Sequence, residues 1–254
     1  MLRKIPIMVV AFMAMVFLFA GVASAQTFKN GQNTTVAGTE IIESAAYLFG
    51  NTVDIAGTVN GDVYCGGQTV NISGTINGDV YCGGQTVNFS GTASGSIRLA
   101  GQTVNVSGKT TSATIMAQTA SISDNTLITQ DVNGGAATLT IARQAVVGRD
   151  LTYGASNIVI NGSIGRNIKA SVENITLGNG AKVGGNIDYT SVNNINKAAD
   201  ATVAGTINKT VPKEEPKSNV SLNFAGSLAF AFYLFISCLV VLIVLALLFS
   251  GVYK

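Results

Sequence analysis

A seventeen-residue self-similarity constrains this chain more than any other feature. Thr58–Gly74 reads TVNGDVYCGGQTVNISG, Thr75–Gly91 reads TINGDVYCGGQTVNFSG, and Thr92–Gly108 reads TASGSIRLAGQTVNVSG, without gaps. One repeat earlier, Leu48, Asn51, Thr52, Val53 and Ile55 fall in register with Cys65, Gln68, Thr69, Val70 and Ile72. One repeat later the pattern runs through Met116, Gln118, Thr119, Ala120 and Ile122, with a residue deleted after Ala117. From Asn125 to Gln144 the signal blurs, which reads as a break in register. It returns at Val146–Gly162, Ser163–Gly180 and Lys182–Ile195, in slightly longer coils.

Within a repeat, apolar and polar residues alternate, as in Val63, Cys65, Val70 and Ile72, and glycines punctuate them. Period two means strands with one buried face. Short strands that recur at a fixed interval bury that face by stacking each repeat on the next. The expected fold is therefore all-β: a parallel β-helix, a solenoid of about ten ~17-residue coils over Glu40–Lys209, on the order of 48 Å long. In-register stacking predicts columns. Val53, Val70, Val87, Val104 and Ala120 form one, and Ile55, Ile72, Phe89, Val106 and Ile122 a second. Leu48, Cys65, Cys82, Leu99 and Met116 form a third. Gln68, Gln85, Gln102 and Gln118, and beside them Asn71, Asn88 and Asn105, form polar surface ladders whose amides can hydrogen-bond along the axis.

The two ends are apolar. Residues 1–25 read as a signal peptide: Arg3 and Lys4, an apolar run, then Ala23-Ser24-Ala25 before a mature start at Gln26. Residues 223–252 hold no charge and are long enough for one C-terminal transmembrane helix, with Tyr233 and Tyr253 near its ends. Residues 26–39 read as a lead-in, 40–209 as the β-helix domain and 210–222, with two prolines, as a linker. The chain is thus expected to be exported and anchored in the cell membrane, its β-helix outside the cytoplasm, in the periplasm or at the cell surface. A net charge of +2 without Lys/Arg clusters predicts no nucleic-acid partner.

Candidate chemistry is sparse. Cys65 and Cys82 lie one coil apart, within disulfide reach, and export permits oxidation. Their column otherwise holds Leu48, Leu99 and Met116, so packed, inward-pointing thiols are favoured over a bridge. With no histidine and the third cysteine remote at Cys238, no metal-ligand spacing exists. Asp62 and Asp79 stack; they read as exposed turn residues rather than as a Ca²⁺ site or a polysaccharide-cleaving pair. Tyr64, Tyr81 and Arg98 share the outer face. Gly66-Gly67 and Gly83-Gly84 read as corners that need positive φ, not as phosphate loops. The sequons at Asn71, Asn88, Asn105, Asn161 and Asn174 are products of the repeat. No cofactor site and no catalytic constellation is expected.

The motif G-D-V-Y-x-G-G-Q-T-V-N-x-S-G at Gly61–Gly74 and Gly78–Gly91 resembles the polymer-forming repeats of bactofilins, as do V-G-R-D-L at Val147–Leu151, I-G-R-N-I at Ile164–Ile168 and V-G-G-N-I at Val183–Ile187. The resemblance implies a right-handed β-helix that polymerises end to end without nucleotide, and no enzymatic activity. The signal peptide and span depart from the typical cytoplasmic member and match the exported, membrane-anchored branch. The residues point the same way. Neither Gln26–Thr39 nor Ala198–Lys209 shows a capping helix, and uncapped ends of equal cross-section invite head-to-tail stacking of the chain on itself. The expected function is a non-enzymatic scaffold of the cell envelope. The alternative is a surface adhesin or a module binding cell-wall polysaccharide through the Gln and Asn ladders.

Overall fold

The computed structural model describes residues 26–212. The expected signal peptide (1–25), the linker beyond Pro212 and the expected span (223–252) lie outside the described residues. Among the described residues no helix is long and apolar enough to cross a membrane.

The described chain is a parallel β-solenoid of eleven turns, each opened by a strand that starts at Thr27, Ala46, Val63, Val80, Ile97, Ala113, Val132, Leu151, Ile168, Ile187 or Ile207. The first nine of these strands are ten residues long; the last two, Ile187–Thr190 and Ile207–Thr210, have four each. They pair in chain order in one twelve-stranded sheet, which also takes in Asn196–Lys197. Two-residue strands, such as Thr58–Val59 and Thr75–Ile76, pair in a second, ten-stranded sheet. The expected lead-in is itself a turn. Thr27–Val36 pairs along its length with Ala46–Ile55, so the solenoid begins one coil earlier than the repeat motif.

Each long strand carries a bend. In Val63–Ile72 the buried residues are Val63 and Cys65, then Val70 and Ile72. The inward positions change from odd to even between Cys65 and Val70, which a straight strand of period two cannot do. The strand therefore turns a corner there and contributes two limbs to the coil, and the short strand contributes the inward Val59 or Ile76. The columns of Val53 and Ile55 run through the stack as expected. Among the described residues no buried side-chain nitrogen or oxygen lacks a partner.

Three expectations about register change. The column of Leu48, Cys65, Cys82 and Leu99 continues into Ile115, not Met116. Met116 pairs with Ala100 and is 56% exposed. The deleted residue lies before Ala113, in the turn after the short strand Lys109–Thr110, and not after Ala117. The blurred stretch 125–144 breaks nothing: Ala113–Ile122, Val132–Ile141 and Leu151–Ile160 pair in register. Coil length varies mainly at one corner, with one residue lost before Ala113 and one added between Thr190 and Asn196. The turn starts are 19, 17, 17, 17, 16, 19, 19, 17, 19 and 20 residues apart. Every coil of 19 or 20 closes with a four-residue turn, such as Ser123–Thr126 or Ala142–Ala145, in which the last N–H donates to the first carbonyl.

In shorter coils the same corner holds a glycine. A Cβ at Gly91 would lie 2.1 Å from the carbonyl oxygen of Gly74 one coil away, and one at Gly74 would lie 2.0 Å from that of Gly57. Close approach of stacked backbones, not unusual φ, requires glycine here. The same correction applies to the double-glycine corners. Neither Gly66-Gly67 nor Gly83-Gly84 has positive φ. A Cβ at Gly67 or Gly84 would stand 2.5 Å from the carbonyl oxygen of the glycine in the preceding coil. Gly134, with φ of 142°, is a different case. It occupies the core column between Ile115 and Tyr153, and the Tyr153 hydroxyl reaches past it to donate to the Ile115 carbonyl at 3.0 Å. Burial pushes the Tyr153 phenol well above its ordinary value.

Gly91→Ala should therefore cost about 2–3 kcal/mol, the price of overpacking against an unyielding backbone. Gly154→Ala, whose Cβ meets nothing within 4 Å, should stay within about 0.5 kcal/mol of the parent. Urea unfolding midpoints at unchanged m-value would check both. Equal midpoints for the two variants would contradict the corner assignment.

Candidate functional site

The stacked repeats place Cys65 and Cys82 opposite each other at a Cα separation of 4.6 Å, and the two are joined by a disulfide. Both are buried within the core column between Leu48 and Leu99. This corrects the expectation of packed thiols instead of a bridge: the two cysteines are bonded as well as buried. Burial and bonding are both satisfied, because parallel inward side chains one coil apart already lie within bonding reach.

The Gln ladder is continuous. Gln68 donates to Gln85, Gln85 to Gln102 and Gln102 to Gln118, each at 3.2 Å, on an exposed edge of the corner. The Asn ladder is half-buried: Asn105 donates to Asn88 and Asn88 to Asn71, both at 2.9 Å. Asn71 then donates to Asp54 at 2.7 Å, so a carboxylate anchors that ladder at one end. Asp54 stands one coil before the matching Asn and escaped notice because its side chain differs from the repeat. Register alone would have found it.

The two stacked aspartates do more than decorate turns. Asp62 accepts the backbone N–H of Asp79, and Asp79 accepts that of Ser96, both at 2.8 Å. The staple recurs in the later turns. Asp131 accepts from Asp150 at 3.1 Å, Asp150 from Asn167 at 2.9 Å, and the side-chain oxygen of Asn167 from Asn186 at 3.0 Å. A carboxylate, or in one case the Asn167 amide, thus closes the gap between coils at the corner following Thr58–Val59, Thr75–Ile76, Leu127–Ile128, Val146–Val147 and Ser163–Ile164. Tyr47, Tyr64 and Tyr81 stack alongside with ring centroids 4.9 and 5.0 Å apart. Arg98 lies 4.8 Å over Tyr81 and pairs with Asp79 at 3.0 Å.

These contacts bear on acid chemistry. The N–H of Ser96, then the Arg98 guanidinium and the Tyr81 hydroxyl, hold the Asp79 carboxyl below its usual range. The Asn167 backbone and side chain, with Arg166 and Arg149, do the same for Asp150. A general acid needs the opposite shift. Among the described residues no group of three or more His, Cys, Asp or Glu side chains could hold a metal ion.

The ends are the other open features. Among the described residues, Thr27–Val36 and Ile207–Thr210 each pair on one side only. Among the same residues the first turn carries a ten-residue strand and the last a four-residue one, so the two match over four residues. Nine large apolar side chains are exposed among the described residues; six of them, Phe28, Ile41, Phe49, Val192, Ile207 and Val211, lie in the first two or last two turns. Of these, Phe28 and Phe49 pack at 6.1 Å between ring centroids.

No family model matches the chain, and no curated protein or solved structure is significantly similar to it.

Two outcomes are expected. Reduction of Cys65–Cys82 should lower stability by about 3 kcal/mol, as for a loop of this length; denaturation with and without reductant would measure it. Asp79 and Asp150, depressed when folded, bind protons more readily when unfolded. Their stabilisation is therefore complete above the unfolded carboxylate value and drains away as pH falls below about 5. Asp79→Asn keeps an acceptor oxygen but cannot titrate, so its stability should fall less steeply with acid than the parent's. Parallel acid limbs would refute the assignment.

Proposed function

We propose that this protein is a non-enzymatic scaffold: an exported β-helix, right-handed and bactofilin-like, carried on one C-terminal transmembrane helix and assembling end to end. The observation that carries this reading is the pair of unpaired strand edges, flanked by most of the exposed large apolar side chains. A free edge presents a row of N–H and C=O groups that another strand can satisfy, and soluble proteins ordinarily blunt it. Neither Thr27–Val36 nor Ile207–Thr210 contains proline, and no cap packs over either among the described residues.

The registers define a head-to-tail match. Ile207–Thr210 occupies the same coil position as Thr27–Asn30, since each long strand pairs residue for residue with the next from one end of the stack to the other. A second copy can therefore continue the ladder over those four residues, a heterologous contact that repeats into a filament. Cleavage after Ala25 would bring the new terminus within two residues of Thr27 and leave that edge open.

Thr27 donates its N–H to the carbonyl of Ala45, immediately before the paired strand Ala46–Ile55. By strand alternation the N–H groups of Phe28 and Asn30 point to the free side. Phe28→Pro with Asn30→Pro should therefore leave the solenoid folded while removing two edge donors. Sedimentation and negative-stain imaging of the full-length chain should show rods that lengthen with concentration for the parent and single rods for the variant. Strictly single rods of the parent at all concentrations would overturn the proposal.

A further inference from the structure

Beyond the ends, one face of the later turns carries a groove of about 500 Å³ that the ladder surfaces do not share. Its polar wall is an axial row, one side chain per coil: Asn133, Thr152, Lys169, Asp188 and Asn208 pair successively in register. Gly154 and Ser171 form part of its floor. Gly154 has negative φ and open space where a Cβ would go, so neither backbone nor packing asks for glycine there. Its effect is to leave the groove clear.

The row differs from the Gln and Asn ladders in what it leaves unspent. Those ladders are tied amide to amide along the axis. In the groove, Asn133, Thr152 and Lys169 make no hydrogen bond or ion pair with the described residues, and Asp188 accepts only from Asn208, at 2.8 Å. Amide, hydroxyl, ammonium and carboxylate together offer donors and acceptors in alternation, the set that sugar hydroxyls satisfy. A polyanion would meet Asp188, and a polycation would meet Lys169. An extended peptide has no strand edge to join here, because the walls up to Ile187–Thr190 are paired on both sides. A row that repeats every coil, about 4.8 Å apart, suits a ligand that also repeats.

We propose that this groove is a binding site for a neutral polysaccharide strand lying along the solenoid axis, gripped by Asn133, Thr152, Lys169 and Asp188. The groove reaches the terminal strand Ile207–Thr210, but the four gripping side chains lie in the turns before it, so a single rod can bind without assembly. Without an exposed aromatic platform, single-chain affinity is weak, and many rods on one polymer strengthen it by avidity.

Calorimetric titration of the full-length chain with cellotetraose, chitotetraose and mannotetraose tests the proposal, with tetragalacturonate and hexaglutamate as charged rivals. At least one neutral tetrasaccharide should bind with Kd near 0.1–1 mM, about tenfold or more tighter than either rival. Gly154→Phe should weaken it about tenfold or more. Asn133→Ala with Lys169→Ala, which removes two exposed side chains without protein partners, should weaken it comparably with the urea midpoint unchanged. Gln85→Ala should leave binding as it is. No neutral binding up to about 10 mM, preference for a charged rival, or indifference of affinity to the Asn133/Lys169 pair would overturn it.

Discussion

Everything in this solenoid depends on axial backbone pairing held in register from one end to the other. Each coil hydrogen-bonds to the coil before it and the coil after it, and residues in equivalent positions lie on top of one another. Because the stack is parallel, identity is cheap: a side chain that suits one coil faces its own copy in the next. Valine and isoleucine columns, amide ladders and the tyrosine stack are three consequences of that rule. The cross-coil disulfide is a fourth, since no other arrangement would bring Cys65 so directly against Cys82.

Strict register also explains where the chain tolerates change. Coil length varies only where the backbone leaves the ladder: at the corner before each short strand, in the turn after Lys109–Thr110, and between Thr190 and Asn196. There the chain chooses between a glycine that slips beneath a carbonyl and a four-residue turn that swings outside it. Both return the following strand to the same register, so the core never records the insertion. The Asp staples serve the opposite corner, converting a gap between coils into a carboxylate–amide contact.

The same economy separates surfaces that are finished from surfaces that are not. Ladders that hydrogen-bond to themselves have little left to offer a partner. The terminal strand edges and the Asn133–Asn208 groove retain unspent donors and acceptors.

Periodicity was enough to establish the solenoid, its parallel stacking, the Val53 and Ile55 columns and the membership of the Gln and Asn ladders, because stacking converts sequence spacing directly into spatial adjacency. Spacing could not say which of two adjacent apolar residues turns inward. Ile115 and Met116 are both apolar, and backbone parity after the shortened turn sends Ile115 to the core and Met116 to solvent. Nor could it reveal that Thr27–Val36 is a turn of the same stack, since pairing needs matching backbone rather than matching side chains. The seventeen-residue repeat determined the ladder. The tertiary structure decided its corners, its ends and its groove, because those depend on where the backbone bends and on which polar atoms the neighbouring coil leaves free.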